Sequence, residues 1–195
     1  MEIIIHRVNK VEELLKIPNN FGVEIDLRGY GSEIILHHEP FLKGEKFTDF
    51  LENYNHGTLV LNIKETGIEK YVLNLLNKFK VKNFFLLDIE FPYIHNSYKQ
   101  KFNNIALRYS EYEPIENIKI FNNKFKWIWI DTFTKLPVYS NNIDYLKKYK
   151  TCLVCPERWG REKDIKRFKK IFNEINFKPT AVMTSFKYHK QWLDT

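Results

Sequence analysis

The chain has 195 residues, 44% apolar and 28% charged, with only 7 Gly and 7 Pro, which excludes a disordered or fibrous protein and suits one domain spanning residues 1–195. No apolar run approaches the ~20 residues that cross a bilayer, and Met1–His6 lacks a basic leader start, so a cytoplasmic protein without membrane insertion is expected. The net charge of +7 points to an anionic partner, but Lys is spread along the chain and not gathered in a patch, so no nucleic-acid partner is expected and nucleic acid stays a minor alternative.

Short apolar segments rich in β-branched and aromatic residues recur along the chain with helical spacing between them, the pattern of a parallel βα array. In chain order the predicted strands are Glu2–His6, Gly22–Leu27, Thr58–Ile63, Asn83–Ile89, Asn104–Arg108, Lys126–Asp131, Thr151–Cys155 and Thr180–Thr184. A further run, Glu33–His38, follows the second strand too closely for a crossover helix and reads as its hairpin partner. Helices are predicted at Val11–Ile17 with Asn9 as cap, at Thr48–Tyr54, and at Gly67–Phe79 after Thr66. Later ones fall at Pro114–Ile120, Asn142–Lys148 and Gly160–Ile175; Phe186–Trp192 reads as a frayed helix and Pro92–Tyr98 as irregular. The predicted fold class is α/β, a compact (β/α)8 TIM barrel with a β-hairpin extension after strand 2. A doubly wound open sheet is the alternative, but Gly29-Tyr-Gly31 leads into a strand and carries no dinucleotide fingerprint. Cys152 and Cys155 form a single C-x-x-C inside a strand, which reads as structural, since zinc needs a second pair and a redox site a helix start.

Nearly every predicted strand ends in ionisable or polar groups: His6-Arg7, Glu24/Asp26/Arg28, Asn62/Lys64, Asp88/Glu90, Arg108, Asp131 and Glu157. In a parallel barrel those ends share one face, where active sites of that architecture are built. Alternation sends Glu24 and Asp26 to one side and Val23, Ile25 and Leu27 to the other. Two carboxylates that close need a proton or a cation between them, and their oxygens suit Mg²⁺ or Ca²⁺. An ion network with Arg7, Arg28 or Lys64 is the other reading. His6 and one of the adjacent pair His37-His38, between which alternation at a strand end does not decide, are candidates for general acid and base, the division of labour that phosphodiester cleavage requires, and Arg7, Lys64 and Arg108 are candidate holders of phosphate oxygens. His56, His95 and His189 read as solvated.

With these residues the sequence resembles the glycerophosphodiester phosphodiesterase family, a group related to phosphatidylinositol-specific phospholipase C barrels. The resembling elements are His6-Arg7, Glu24-Ile-Asp26, His38-Glu39 and Asn62-Ile-Lys64, in the family's order over the first third of the chain. The resemblance implies a divalent metal, Mg²⁺ or Ca²⁺, at Glu24, Asp26 and the position of Asn62, with His6 and His38 as catalytic base and acid. It also implies that Arg7 and Lys64 bind the phosphate of a small-molecule phosphodiester, and that a neighbouring hydroxyl can attack first to give a cyclic phosphate. The sequence departs from the pattern at Asn62, where a third carboxylate is expected, at Glu39, which replaces Asp, and at Val8, which replaces Gly; the family's Pro-Glu-Asn segment is missing. Segments Arg108–Glu113, Trp129–Asp131 and Cys155–Glu157 look like those of a small-barrel branch of the group, and Glu111, Asp131 and Glu157 suit either head-group selection or neutralisation of Arg7 and Arg108. The leading expectation is a metal-dependent phosphodiesterase. The alternatives are a degenerate barrel that binds an anionic phosphate or glycan without cleaving it, and a sugar-processing enzyme with paired carboxylates.

Overall fold

A computed structural model describes residues 1–193. It is a mixed α/β protein whose described residues fall into two compact units: residues 4–94 form one, and residues 1–3 with the chain from His95 onward form the other.

The 4–94 unit is built from the end of β1 (Glu2–Ile5), α1 (Val11–Leu14), β2 (Gly22–Tyr30), β3 (Glu33–Leu36), β4 (Glu45–Lys46), α2 (Phe47–Glu52), β5 (Leu59–Ile63), α3 (Glu69–Lys78), β6 (Phe84–Leu87) and the start of α4 (Phe91–Lys99). Strands β1, β2, β5 and β6 run parallel, with Ile5 opposite Val23, Asp26 opposite Asn62 and Asn62 opposite Leu87. Parallel strands covered on both faces read as unbroken apolar runs, and Val23, Ile25, Leu27, Leu59, Val60, Leu61, Phe85 and Leu86 are all buried. Helices α2 and α3 add Phe47, Phe50, Val72 and Leu76 to that core.

The hairpin expected after the second strand is present: β3 is antiparallel to β2, with Tyr30 opposite Glu33, and Gly31 supplies the left-handed residue of the turn at φ 60°. The two-residue β4 extends the hairpin; so short and charged a strand leaves no apolar signal in sequence. Gly44 lies just before it, where a Cβ would stand 2.1 Å from the Leu36 carbonyl oxygen, so only glycine fits against the segment that leads to His38.

Two expectations change in this unit. Asn9 does not cap α1; its side chain turns to Asp26, while the Val11 N–H donates to Glu45 Oε2 at 2.7 Å. The Pro92–Tyr98 segment is helical, because Pro92 lies in the first turn of α4, where a missing N–H costs nothing.

The other unit contains the rest of α4, then β7 (Ala106–Tyr109), α5 (Glu116–Lys119), β8 (Trp127–Ile130), α6 (Ile143–Leu146), β9 (Lys150–Val154), α7 (Asp164–Glu174), β10 (Ala181–Thr184) and α8 (His189–Leu193). Strands β7 to β10 form a parallel ladder, and the Glu2 N–H adds a bond to the Thr180 carbonyl at 2.8 Å. The spacing of α7 predicts one apolar face of Ile165, Phe168, Ile171 and Phe172; Ile165, Phe168 and Phe172 are buried and Ile171 is half-buried. Cys152 and Cys155 are buried and form no disulfide, and burial pushes the Cys155 thiol well up. No helix among the described residues is long and apolar enough to cross a membrane.

Candidate active site

Strands β1, β2 and β5 and the residues that directly follow them bring six of the eight expected site residues together inside the 4–94 unit: His6, Arg7, Glu24, Asp26, Asn62 and Lys64. Glu24 and Asp26 both lie on the face predicted by alternation and are 1% and 0% exposed. Asn62, from the next strand, donates through Nδ2 to Glu24 Oε1 at 3.0 Å. The other Glu24 oxygen accepts the Arg7 backbone N–H at 2.8 Å and has His6 Nε2 at 3.8 Å.

Asp26 is clamped by Asn9, which donates from Nδ2 to Oδ2 at 2.9 Å and accepts the Asp26 N–H at 2.8 Å. Two cations flank the same carboxylate: Arg7 Nε at 3.8 Å from Oδ2 and Lys64 Nζ at 3.4 Å from Oδ1. Lys64 Nζ is also 3.5 Å from Asp88 Oδ2, at the end of β6. In sequence Asp88 is one charged strand end among several, and its pairing with Lys64 leaves no trace in spacing.

The β1–α1 turn solves the missing glycine in its own way. The left-handed residue is Arg7 itself, at φ 55°, and Val8 is buried with its N–H donating to the Glu24 carbonyl at 2.9 Å. A left-handed non-glycine residue is uncommon, and here the conformation aims the Arg7 N–H at Glu24 while its side chain reaches Asp26.

His38 is placed differently. Its Nδ1 is 2.5 Å from Glu39 Oε1, and its backbone carbonyl accepts two bonds from the Arg28 guanidinium, at 3.1 and 2.9 Å. His38 and Asn9 line a common cleft of about 530 Å³ with His37, Gly44 and Glu45. Glu39 is held below the usual carboxylate range by His38 first, with Arg7 and Arg28 contributing. A larger cleft, about 650 Å³, lies between the hairpin and α3, away from the carboxylates.

Burial raises Glu24 from its ordinary 4.5 to about 7, with the charge of Asp26 adding to the rise and the bonds from Asn62 and Arg7 and the charge of Lys64 opposing it. Two buried carboxylates in repulsion make an environment that a cation relieves. Asn62 Oδ1 is buried without a hydrogen-bond donor and Asp26 Oδ1, buried and with no hydrogen bond, faces the Lys64 ammonium, so Glu24, Asp26 and Asn62 offer a hard oxygen set that fits Mg²⁺ or Ca²⁺. The set is sparse in charge: among the described residues no group of three or more His, Cys, Asp or Glu side chains has the arrangement of a metal site.

Arg108 lies in the other unit, where its guanidinium is engaged by Asp131 and, at 3.0 Å, by Glu113. Glu111 accepts from the Thr134 N–H and hydroxyl, and Glu157 from the Thr184 hydroxyl and the Ser185 N–H. These strand-end charges tie together the loops of their own unit.

No protein-family model and no curated protein matches the sequence. Among solved structures, the chain is similar to a protein of Agrobacterium tumefaciens strain C58 provisionally named a glycerophosphoryl diester phosphodiesterase. The likeness has a TM-score of 0.65 at 10% identity and covers 94% of this chain and 93% of that one, which makes it a likeness of fold.

Proposed function

We propose that the chain is a phosphodiesterase of the glycerophosphodiester type, acting on a small polar phosphodiester with a divalent metal, Mg²⁺ or Ca²⁺, and built as a compact (β/α)8 barrel. The observation that carries the reading is the buried Glu24–Asp26 pair with His6 at 3.8 Å from Glu24 and the Arg7 and Lys64 cations beside Asp26. The fold likeness to the Agrobacterium protein supports it.

Glu24, Asp26 and Asn62 would hold the metal, which when bound supplies positive charge to polarise a phosphoryl oxygen. Arg7 and Lys64 supply donors for the remaining phosphate oxygens, Arg7 with a planar fork and Lys64 with a point charge. His6, beside the carboxylates, takes the proton from the attacking hydroxyl or water. His38, held by Glu39, returns a proton to the leaving oxygen; the two roles need one imidazole neutral and the other protonated. Asn9 and Asn62 fix the carboxylates, so the charged groups do not reorganise as the reaction proceeds.

The test is turnover of a panel of glycerol, nucleotide-sugar and lipid head-group phosphodiesters with Mg²⁺, Ca²⁺ or chelator. Metal-dependent cleavage that falls at least ~100-fold in His6→Ala supports the reading. Cleavage of none of them, or full activity in that variant, rejects it. A second reading, a barrel that binds a phosphodiester without cleaving it, is favoured by the amide at position 62 and by the close pairing of His38 with Glu39. Calorimetric binding of a diester that stays intact through long incubation with metal selects it.

A further inference from the structure

The ammonium of Lys64 lies between two carboxylates of opposite character. Asp26, 3.4 Å away, is fully buried and belongs to the pair that suits a cation; Asp88, 3.5 Å away, has a side chain 30% exposed. Asp88 directly follows Leu87, the last residue of β6 and the partner of Asn62, and its own φ of 57° turns the chain there. A left-handed aspartate is more common than most such residues, yet it remains a conformation that its surroundings must hold.

Position and charge together give Asp88 a task. A divalent cation beside Asp26 repels the ammonium that shares its oxygen. A lysine side chain has four flexible bonds and, losing its inner partner, gains freedom by leaving for solvent. A second carboxylate on the outer side retains it near the site. We propose that Asp88 is a positioning residue that keeps the Lys64 ammonium at the entrance when a divalent cation occupies the carboxylate pair, so that Lys64 remains available to a phosphate oxygen. The inference rests on the phosphodiesterase reading for its biological use, and its test does not require turnover.

Inorganic phosphate is titrated into the full chain in the presence of Mg²⁺, by calorimetry or ³¹P line broadening. The proteins compared are the natural one, Asp88→Asn, Asp88→Glu, Lys64→Met and the Asp88→Asn/Lys64→Met double variant. Asp88→Asn weakens phosphate binding about tenfold, and Asp88→Glu recovers most of the loss. In the Lys64→Met background Asp88→Asn costs nothing further, since the two act through one contact. Undiminished phosphate binding in Asp88→Asn, additive losses in the double variant, or no phosphate binding by the natural protein overturns the proposal. So does a loss of Mg²⁺ affinity in Asp88→Asn with phosphate binding unchanged, which makes Asp88 a metal ligand. A natural protein that binds phosphate through Lys64 and Asp88 yet cleaves no diester removes the phosphodiesterase reading and leaves this inference standing.

Discussion

Asn62 and Glu24 meet across neighbouring strands, the amide Nδ2 donating to Glu24 Oε1 at 3.0 Å and leaving its own Oδ1 buried without a donor. In the resembling family a carboxylate is expected at that position, and it would meet Glu24 with repulsion instead of a hydrogen bond. Asn62 therefore stabilises the cation-free site while reducing the charge available to a cation. Asn62→Asp is expected to lower cation-free stability by about 1–3 kcal/mol in urea unfolding. The same substitution is expected to tighten Ca²⁺ or Mg²⁺ about tenfold or more, because a third anionic oxygen joins the set. Calorimetry that finds cation affinity unchanged or weaker in this variant contradicts the metal site.

Glu24 sets a pH dependence whose sign follows from its direction of shift. Burial and the Asp26 charge raise it to about 7 from an ordinary 4.5, so between those values the folded protein holds a proton that the unfolded chain has released. Stability is then fully present below about 4.5 and falls as pH rises through about 7; the cost above 7 is about 3 kcal/mol. Without divalent cation, thermal unfolding is expected to move to lower temperature between pH 5 and 8. Added Ca²⁺ or Mg²⁺ is expected to stabilise much more at pH 8 than at pH 5, since it binds the ionised form. A cation effect equal at both pH values removes Glu24 from the site.

The two histidines carry unequal supports, and the difference is measurable. His6 is near Glu24 in a largely buried setting, with a side chain 12% exposed, whereas His38 is 32% exposed and depends on Glu39 for orientation. His6→Ala is expected to reduce kcat/KM by about 10²–10⁴-fold, as loss of a general base does. Glu39→Gln leaves the imidazole present with a weaker, neutral partner, so a smaller loss of about tenfold, borne by kcat, is expected. A Glu39→Gln variant as impaired as His38→Ala would show that Glu39 itself takes part in the proton transfer.

Much of the strand framework is visible in sequence because parallel strands buried on both faces leave apolar runs such as Leu59–Ile63 and Trp127–Ile130. The pairing of Glu24 with Asp26 is visible for a related reason, since a period of two needs no tertiary information. Short or polar elements escape: β4 is two charged residues, and α4 hides its helical face behind Pro92 and a mixture of aromatic, His and Asn side chains. Side-chain partners escape as well. Asn9 has the residue type of a helix cap and the position of one, yet the structure spends it on Asp26, 17 positions away. Asp88 is legible as a charged strand end, but its approach to Lys64 depends on a left-handed φ that no residue pattern announces.

Asn9 supplies the most direct stability test of the site. Its amide makes two reciprocal bonds to Asp26, at 2.9 Å to the carboxylate and 2.8 Å from the backbone N–H, and the Asp26 side chain is wholly buried. Removing the amide leaves a buried charge with one fewer donor and a backbone N–H without its acceptor, so Asn9→Ala is expected to cost about 2–4 kcal/mol. Asn9→Asp retains a carboxyl acceptor for the N–H but sets a second anion against Asp26. It is expected to be destabilised in the absence of metal and to recover with added Ca²⁺, because the cation offsets the repulsion. Urea unfolding with and without Ca²⁺ separates the two effects. If Asn9→Ala unfolds at the natural protein's midpoint, the clamp does not hold Asp26, and that carboxylate is held in place by its ion pairs with Arg7 and Lys64.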